Sequence, residues 1–359
     1  MKQTILRAAL AGSVLLTGTA VHAADSGSET RTVPAFSAIN LMGPFTVIIT
    51  PDAGNTIELR GPRQRLAEIE TSVANDTLTV RAPRQQQQGW TINLGWGKHS
   101  AQEMTLRISA ANLKSLRNAG SGDVELQRYQ GRALTVVSDG SGDLRASGKV
   151  GELSVTANGS GDLDLRGLQA GGLNVQMHGS GDLDAGNVTQ DLNLVVSGSG
   201  DLDIGDLRAG RVSASLHGAG SVALRGTARE VRAEVRGSGD LDACALSTDA
   251  ASAVLRGSGG ACLAGHIKKL DAEVHGSGDL TVRGLDAQSV RARLSGPGNM
   301  TLAGNAAVLS AQVSGSGDLD ARELCTRQTD VTVRGSGNAV VALADQADSK
   351  RTHLVTYHR

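Results

Sequence analysis

The sequence predicts an all-β fold, a parallel β-helix or solenoid, and three observations carry that prediction. A Gly-Ser-Gly-Asp tetrapeptide or close variant begins at Gly120, Gly140, Gly159, Gly179, Gly198, Gly218, Gly237, Gly257, Gly276, Gly296, Gly315 and Gly335. Its spacing alternates between 20 and 19 residues, about 19.5 on average, which marks a repeat architecture. Between the tetrapeptides, apolar residues alternate at a fixed offset: Leu173, Val175 and Met177, then Leu192, Leu194 and Val196, then Val212, Ala214 and Leu216. Alternation of that length signals half-buried strands. Third, aromatic residues are nearly missing, with two Phe, two Trp and two Tyr in 359 residues, while the 47 glycines amount to about 13%. Wide cores built on rings are excluded, and a narrow interior filled by Leu, Val and Ala is favoured.

A coil of about 19.5 residues cannot bury an apolar face alone, but coils stacked about 4.8 Å apart pair every strand with its equivalents above and below. The tetrapeptides become the corner turns. Glycine there is expected to supply positive φ, and the following Asp or Asn to cap the turn by hydrogen-bonding nearby backbone amides.

Taken from the start, residues 1–23 read as a secretory signal: Lys2 and Arg7 precede an apolar run over 8–21, and Val21-His22-Ala23 resembles a cleavage site. Loss of Lys2 and Arg7 would take the formal charge from −1 to −3. So balanced a surface has no positive excess to neutralise a phosphate backbone, and nucleic acid is not an expected partner. No later stretch reaches about 18 consecutive apolar residues, so no membrane span is expected, and no cysteine follows the signal to accept lipid. The expected product is a soluble exported chain, periplasmic, secreted or on the cell surface.

Residues 24–35 read as a linker and 36–118 as irregular first coils that cap the rod. Strand-like runs occur at 45–49, 56–59 and 77–80, with one short helical candidate over 63–70. Residues 85–100, holding four consecutive glutamines, Trp90 and Trp96, read as an exposed loop. Residues 119–359 form the regular repeats and a last coil.

Ala35-Phe36-Ser37-Ala38-Ile39, Gly43-Pro44-Phe45-Thr46-Val47-Ile48-Ile49, Asp76-Thr77-Leu78-Thr79-Val80, and Leu113-Lys114-Ser115-Leu116 running into the first tetrapeptide together resemble the putative auto-transporter adhesin, head GIN domain family of bacteria. The resemblance covers nearly all of the chain after residue 23. It implies a right-handed, single-stranded β-helix in or outside the envelope, with an adhesive or ligand-binding role. Only 21 residues follow the last tetrapeptide, against roughly eight ten-residue strands in the smallest membrane barrel, so self-export is not expected.

Four groups of residues carry candidate chemistry. The Asp column, with Asp162, Asp182 and Asp201 at its centre, stacks carboxylates that repel by roughly 0.9 kcal/mol per pair in water. Turn capping and calcium binding both remain open for it, although the calcium-binding nonapeptide repeat places one residue between its last glycine and the aspartate, and here Asp follows directly. His178, His217 and His275 share an exposed polar stripe, and coils two apart, about 9.6 Å, are too distant for one metal. Cys244 and Cys262 fall on neighbouring coils and are candidates for a disulfide, or are small hydrophobes like Cys325. Trp90 and Trp96 either stack on a ligand or fold back over the rod's end.

No serine has a distinctive base and acid beside it, so a serine hydrolase is not expected. Asp recurs in nearly every coil, so a polysaccharide-processing enzyme built on paired Asp residues is the weaker alternative. The reading is a non-enzymatic, adhesin-like protein without a required cofactor, its partner a glycan or surface protein. The main rival is a structural or envelope-homeostasis solenoid that associates end to end.

Overall fold

The computed structural model describes residues 26–82, 104–344 and 352–358. They build one continuous sheet wound into a β-solenoid of about 11 turns, with almost no helix. Twelve tetrapeptides bound eleven coils, which accounts for the number.

Each regular coil has three faces. In the coil Leu144–Ala157, residues 144–146 form the first face, 149–150 the second and 152–157 the third. Parallel pairing repeats coil by coil, so that Leu153 meets Leu134 on one side and Leu173 on the other. The stack continues through Leu192, Val212, Val231, Ala251, Leu270, Val290 and Leu309, all turned into the interior. These columns are the alternating positions legible in the sequence.

Two features depart from the sequence expectation. Most coils are single long strands rather than separate short ones, the coil holding Leu183–Gly186 and Asp191–Val196 being split in two. Leu144–Ala157 and Leu202–Leu216, for example, run through their bends, and the bends appear as register shifts such as that between Ile204 and Leu207. Gly148 allows one such bend with φ +129°.

The tetrapeptide glycines also serve a different purpose from the one expected. Among them only Gly296, Gly315 and Gly335 have positive φ. At Gly140 the need is space, because an added Cβ would overlap the carbonyl oxygen of Gly120 one coil below. Corner backbones thus stack closer than any side chain permits.

The first coils are built differently. Ala38–Met42 pairs in parallel with Thr77–Arg81 and Ser115–Asn118, and Thr46–Thr50 pairs in parallel with Thr105–Ser109 and with Val124–Ser138. Outside these parallel strands the pairing turns antiparallel: Thr56–Pro62 covers Thr105–Ser109, and Glu70–Ala74 covers Thr77–Arg81. The stretch expected as a linker contains Ser26–Thr32, which pairs antiparallel along Thr56–Pro62 as the outermost strand. Its residues are too polar to read as a strand alone, and one edge suffices to order them. The helical candidate shrinks to the single turn Arg63–Leu66, whose Leu66 is buried at the rod's end.

At the far end, Thr352–Tyr357 closes antiparallel on Ala339–Ala344. Among the described residues no helix is long and apolar enough to cross a membrane.

Candidate functional site

The corner after each tetrapeptide is held by a ladder of side chains. Oδ1 of Asp123 accepts the amide of Asp143 at 3.0 Å, Asp143 that of Asp162 at 2.9 Å, and Asp162 that of Asp182 at 2.9 Å. Asp182 then accepts from Asp201, and Asp201 from Ser221, both at 2.8 Å. Asn299 takes the same place, its Oδ1 accepting the amide of Asp318 at 3.2 Å. Each carboxylate therefore caps the coil that follows, satisfying an amide that the corner removes from the sheet ladder. This geometry employs one oxygen of each of Asp162, Asp182 and Asp201, all three of them exposed residues.

A second carboxylate column lies two residues on and is paired with arginines. Asp164 bonds Arg166 and Arg145 at 3.0 Å and 3.2 Å, and Arg225 pairs with Asp203. The Arg166 guanidinium, assisted by its backbone amide and by Arg145, holds the Asp164 carboxyl down at about 2 despite some desolvation. On the third face Glu273 is lowered by His275 and then by Arg293.

Among the described residues, Asp242, Cys244 and Cys262 are the only three His, Cys, Asp or Glu side chains whose donor atoms all lie within 4.8 Å of one another. The two cysteines are joined as a disulfide with their Cα atoms 5.2 Å apart, so their sulfurs are occupied with each other. Cys325 is free and half-buried. Trp90 and Trp96 lie outside the described residues, as do residues 1–23, expected as a secretory signal.

The histidine stripe divides. His178 joins the exposed Gly-Ser corner, beside Asn158 and Ser180, in a shallow open trough. His275 instead contacts Ser295 through Nδ1 at 2.7 Å and Glu273 through Nε2 at 3.2 Å.

A feature unread in the sequence runs over the junction of the second and third faces. Small residues there, such as Gly131, Gly151, Gly171 and Gly210, leave a groove, and its two halves meet at Thr189. Lys149, Arg208, Arg229 and His266 stand along it. Their irregular sequence spacing hides them, because only the stacking of the coils brings them to one groove.

Two interior polar groups were also missed. Asn118 is buried, donating to the carbonyls of Gly122 at 3.1 Å and Gly142 at 3.4 Å while accepting from the amide of Gly120, and so stitches the first tetrapeptide corner from inside. Tyr129 is buried with its hydroxyl within 2.9 Å of the Leu113 carbonyl and 2.8 Å of that of Ala133, and burial raises its pKa.

The family model for the putative auto-transporter adhesin, head GIN domain, matches residues 35–191, 186–284 and 263–351. The chain belongs to that head GIN domain family. No curated protein matches it in sequence. Among solved structures, a putative adhesin from Bacteroides fragilis NCTC 9343 is 18% identical, over 87% of this chain and 95% of that one, with a TM-score of 0.25. A putative lipid binding protein from Parabacteroides distasonis ATCC 8503 is 14% identical over 88% and 96%, with a TM-score of 0.35. A putative adhesin from the same strain is 15% identical over 88% and 95%, with a TM-score of 0.34. The head GIN family match coincides with the whole coil stack described above, from Phe36 through the last regular turns.

Proposed function

We propose that this head GIN protein is a non-enzymatic, adhesin-like binding protein, exported to the envelope or cell surface, whose rigid solenoid presents polar columns to a glycan or surface protein. The observation that carries this reading is the corner column, whose exposed Ser and Asp side chains recur from coil to coil, set on a stack whose family is the putative auto-transporter adhesin, head GIN domain. A weak contact made once by such a rod is made again about 4.8 Å further along, so modest single-site affinities combine into firm attachment. Calcium held by the remaining carboxylate oxygens of Asp162, Asp182 and Asp201 is compatible with this role but is not required by it.

A second reading, self-association as a structural rod, is favoured by one specific observation. Along residues 328–335 the outer edge of the strand Leu319–Gly335 carries no further strand among the described residues, and Val331 and Val333 stand half-buried there. An open edge of this kind can pair with another chain.

Protease shaving of intact cells that express an internally tagged protein separates the two readings. The adhesive reading expects loss of the tag while a periplasmic marker survives. Full protection until the outer membrane is opened would overturn surface adhesion and leave the structural reading.

A further inference from the structure

The groove between the second and third faces crosses eight consecutive coils, from Gln130 to His266. Seven coil steps of about 4.8 Å make it about 34 Å long, parallel to the rod axis. A globular partner would touch it at one place, but a linear polymer would fill it.

The lining identifies the polymer's chemistry. Gln130, Gln169 and Gln190 offer amides and Ser247 a hydroxyl, while the hydroxyls of Thr189 and Thr227 donate to the carbonyls of Ala170 and Leu207 at 3.3 Å and 3.4 Å and are left to accept. The amides and the Ser247 hydroxyl donate and accept, which suits sugar hydroxyls. Among the described residues no Phe, Tyr or Trp lines the groove.

Charge supplies the rest. Two carboxylates enter the groove: Asp249 is paired with Lys268 at 3.5 Å, while Asp191 accepts only the Arg211 backbone amide at 3.1 Å and keeps its charge, so three cations stand against one unpaired carboxylate. Lys149, Arg208 and Arg229 are exposed and make no salt bridge with any described carboxylate. This contrasts with the arginines of the third face, where Arg232, Arg236, Arg256 and Arg293 are each held by a glutamate. The groove thus keeps its cations available, spaced over several coils, while the neighbouring face neutralises its own.

Resting on the adhesive reading above, we propose that this groove binds a linear acidic polysaccharide. Its uronate carboxylates meet Lys149, Arg208 and Arg229, and its hydroxyls meet the glutamine, threonine and serine side chains. A guanidinium presents a planar fork that takes a carboxylate through two parallel hydrogen bonds, so Arg208 and Arg229 fix the chain's position and Lys149 extends the track. One coil advances the surface by about the length of one sugar ring, so a polymer lying along the axis stays in step with the columns.

The test measures binding of the purified exported chain to oligogalacturonate and to its methyl ester, the same polymer with its carboxylates capped, and to polyglutamate as a polyanion without sugars. The expected result is binding of the acid form, at least tenfold weaker binding of the ester and of polyglutamate, and a further weakening with salt. Arg208→Ala with Arg229→Ala should reduce acid-form affinity at least tenfold with an unchanged melting temperature. Arg283→Ala, a substitution outside the groove, should leave affinity unchanged.

No binding of oligogalacturonate, equal binding of its ester, or indifference to the double substitution would each overturn the assignment. Equal binding of polyglutamate would overturn it as well, since charge attraction alone would then account for the binding. Surface display and adhesion are read independently by protease shaving, so a displayed rod that ignores acidic sugars would end this proposal and leave the adhesive reading standing.

Discussion

The first coils and the regular coils solve one problem, an open stack of strands, with different materials. Before residue 119 the interior is filled by large side chains, including Phe36, Phe45, Ile39, Ile49, Ile57, Ile69 and Ile108. Beyond it, single columns thin to residues such as Ala233, Ala251, Ala253, Ala272 and Ala292. The first region turns its outer strands antiparallel and closes with a helical turn, whereas the second is parallel throughout until its last hairpin. A repeat can use small residues because each coil is covered by an identical neighbour. An end has no neighbour, and it must be closed with bulk and polar edges.

The sharpest test of this contrast sets two glycines against each other. Gly140→Ala is expected to cost about 4 kcal/mol or more, because its Cβ meets the Gly120 carbonyl in a stack that cannot spread locally. Gly54→Ala, in the first region, meets no atom within 4 Å and carries only the strain of φ +128°, roughly 1–3 kcal/mol. Urea unfolding of both variants checks this, and equal losses would mean that corner packing does not limit the regular coils.

Next in size is Phe45→Ala. It removes a buried ring at the join between the two regions and should cost about 3–5 kcal/mol. If the first coils nucleate the stack, the loss will appear in folding rate as well as in stability, which stopped-flow refolding resolves.

The Asp ladder predicts a smaller effect with a chemical signature. Asp182→Ala strips the acceptor from the Asp201 amide and should cost roughly 1–3 kcal/mol. Asp182→Asn should recover most of that, since Asn299 already fills an equivalent step with its Oδ1. Thermal melts of the pair decide it, and an equally damaged Asn variant would mean that charge matters more than the accepted amide.

The smallest effect concerns acid. Asp164 has its folded pKa lowered to about 2, below the roughly 3.9 of an unfolded aspartate. A depressed carboxyl stabilises the fold above its unfolded pKa, so this contribution is present near pH 5 and disappears as pH falls from about 4 to about 2. Removing Arg166 by Arg166→Ala should flatten the acid limb of the stability curve. An unchanged limb would show that the pair is screened at the surface.

Much of the fold was legible because a solenoid repeats in sequence what it repeats in space. The tetrapeptide period marked the corners, and the alternating Leu, Val and Ala positions marked the columns that became the interior. The role of the corner glycines was misread, because a close approach between Gly140 and Gly120 involves residues on separate coils, and the sequence alone invites only the local explanation, positive φ. The polar strand Ser26–Thr32 was hidden for a related reason: its order comes from the edge it meets along Thr56–Pro62.

The candidate site shows the same division. Composition and period determined the solenoid, its narrow aliphatic interior and its Asp ladder, since each depends on residues that recur at one offset. Tertiary structure alone decided that Cys244 and Cys262 meet, that Asn118 and Tyr129 turn inward, and that Lys149, Arg208 and Arg229 share one groove. Those residue types do not recur from coil to coil, and only the stacking of coils brings them together.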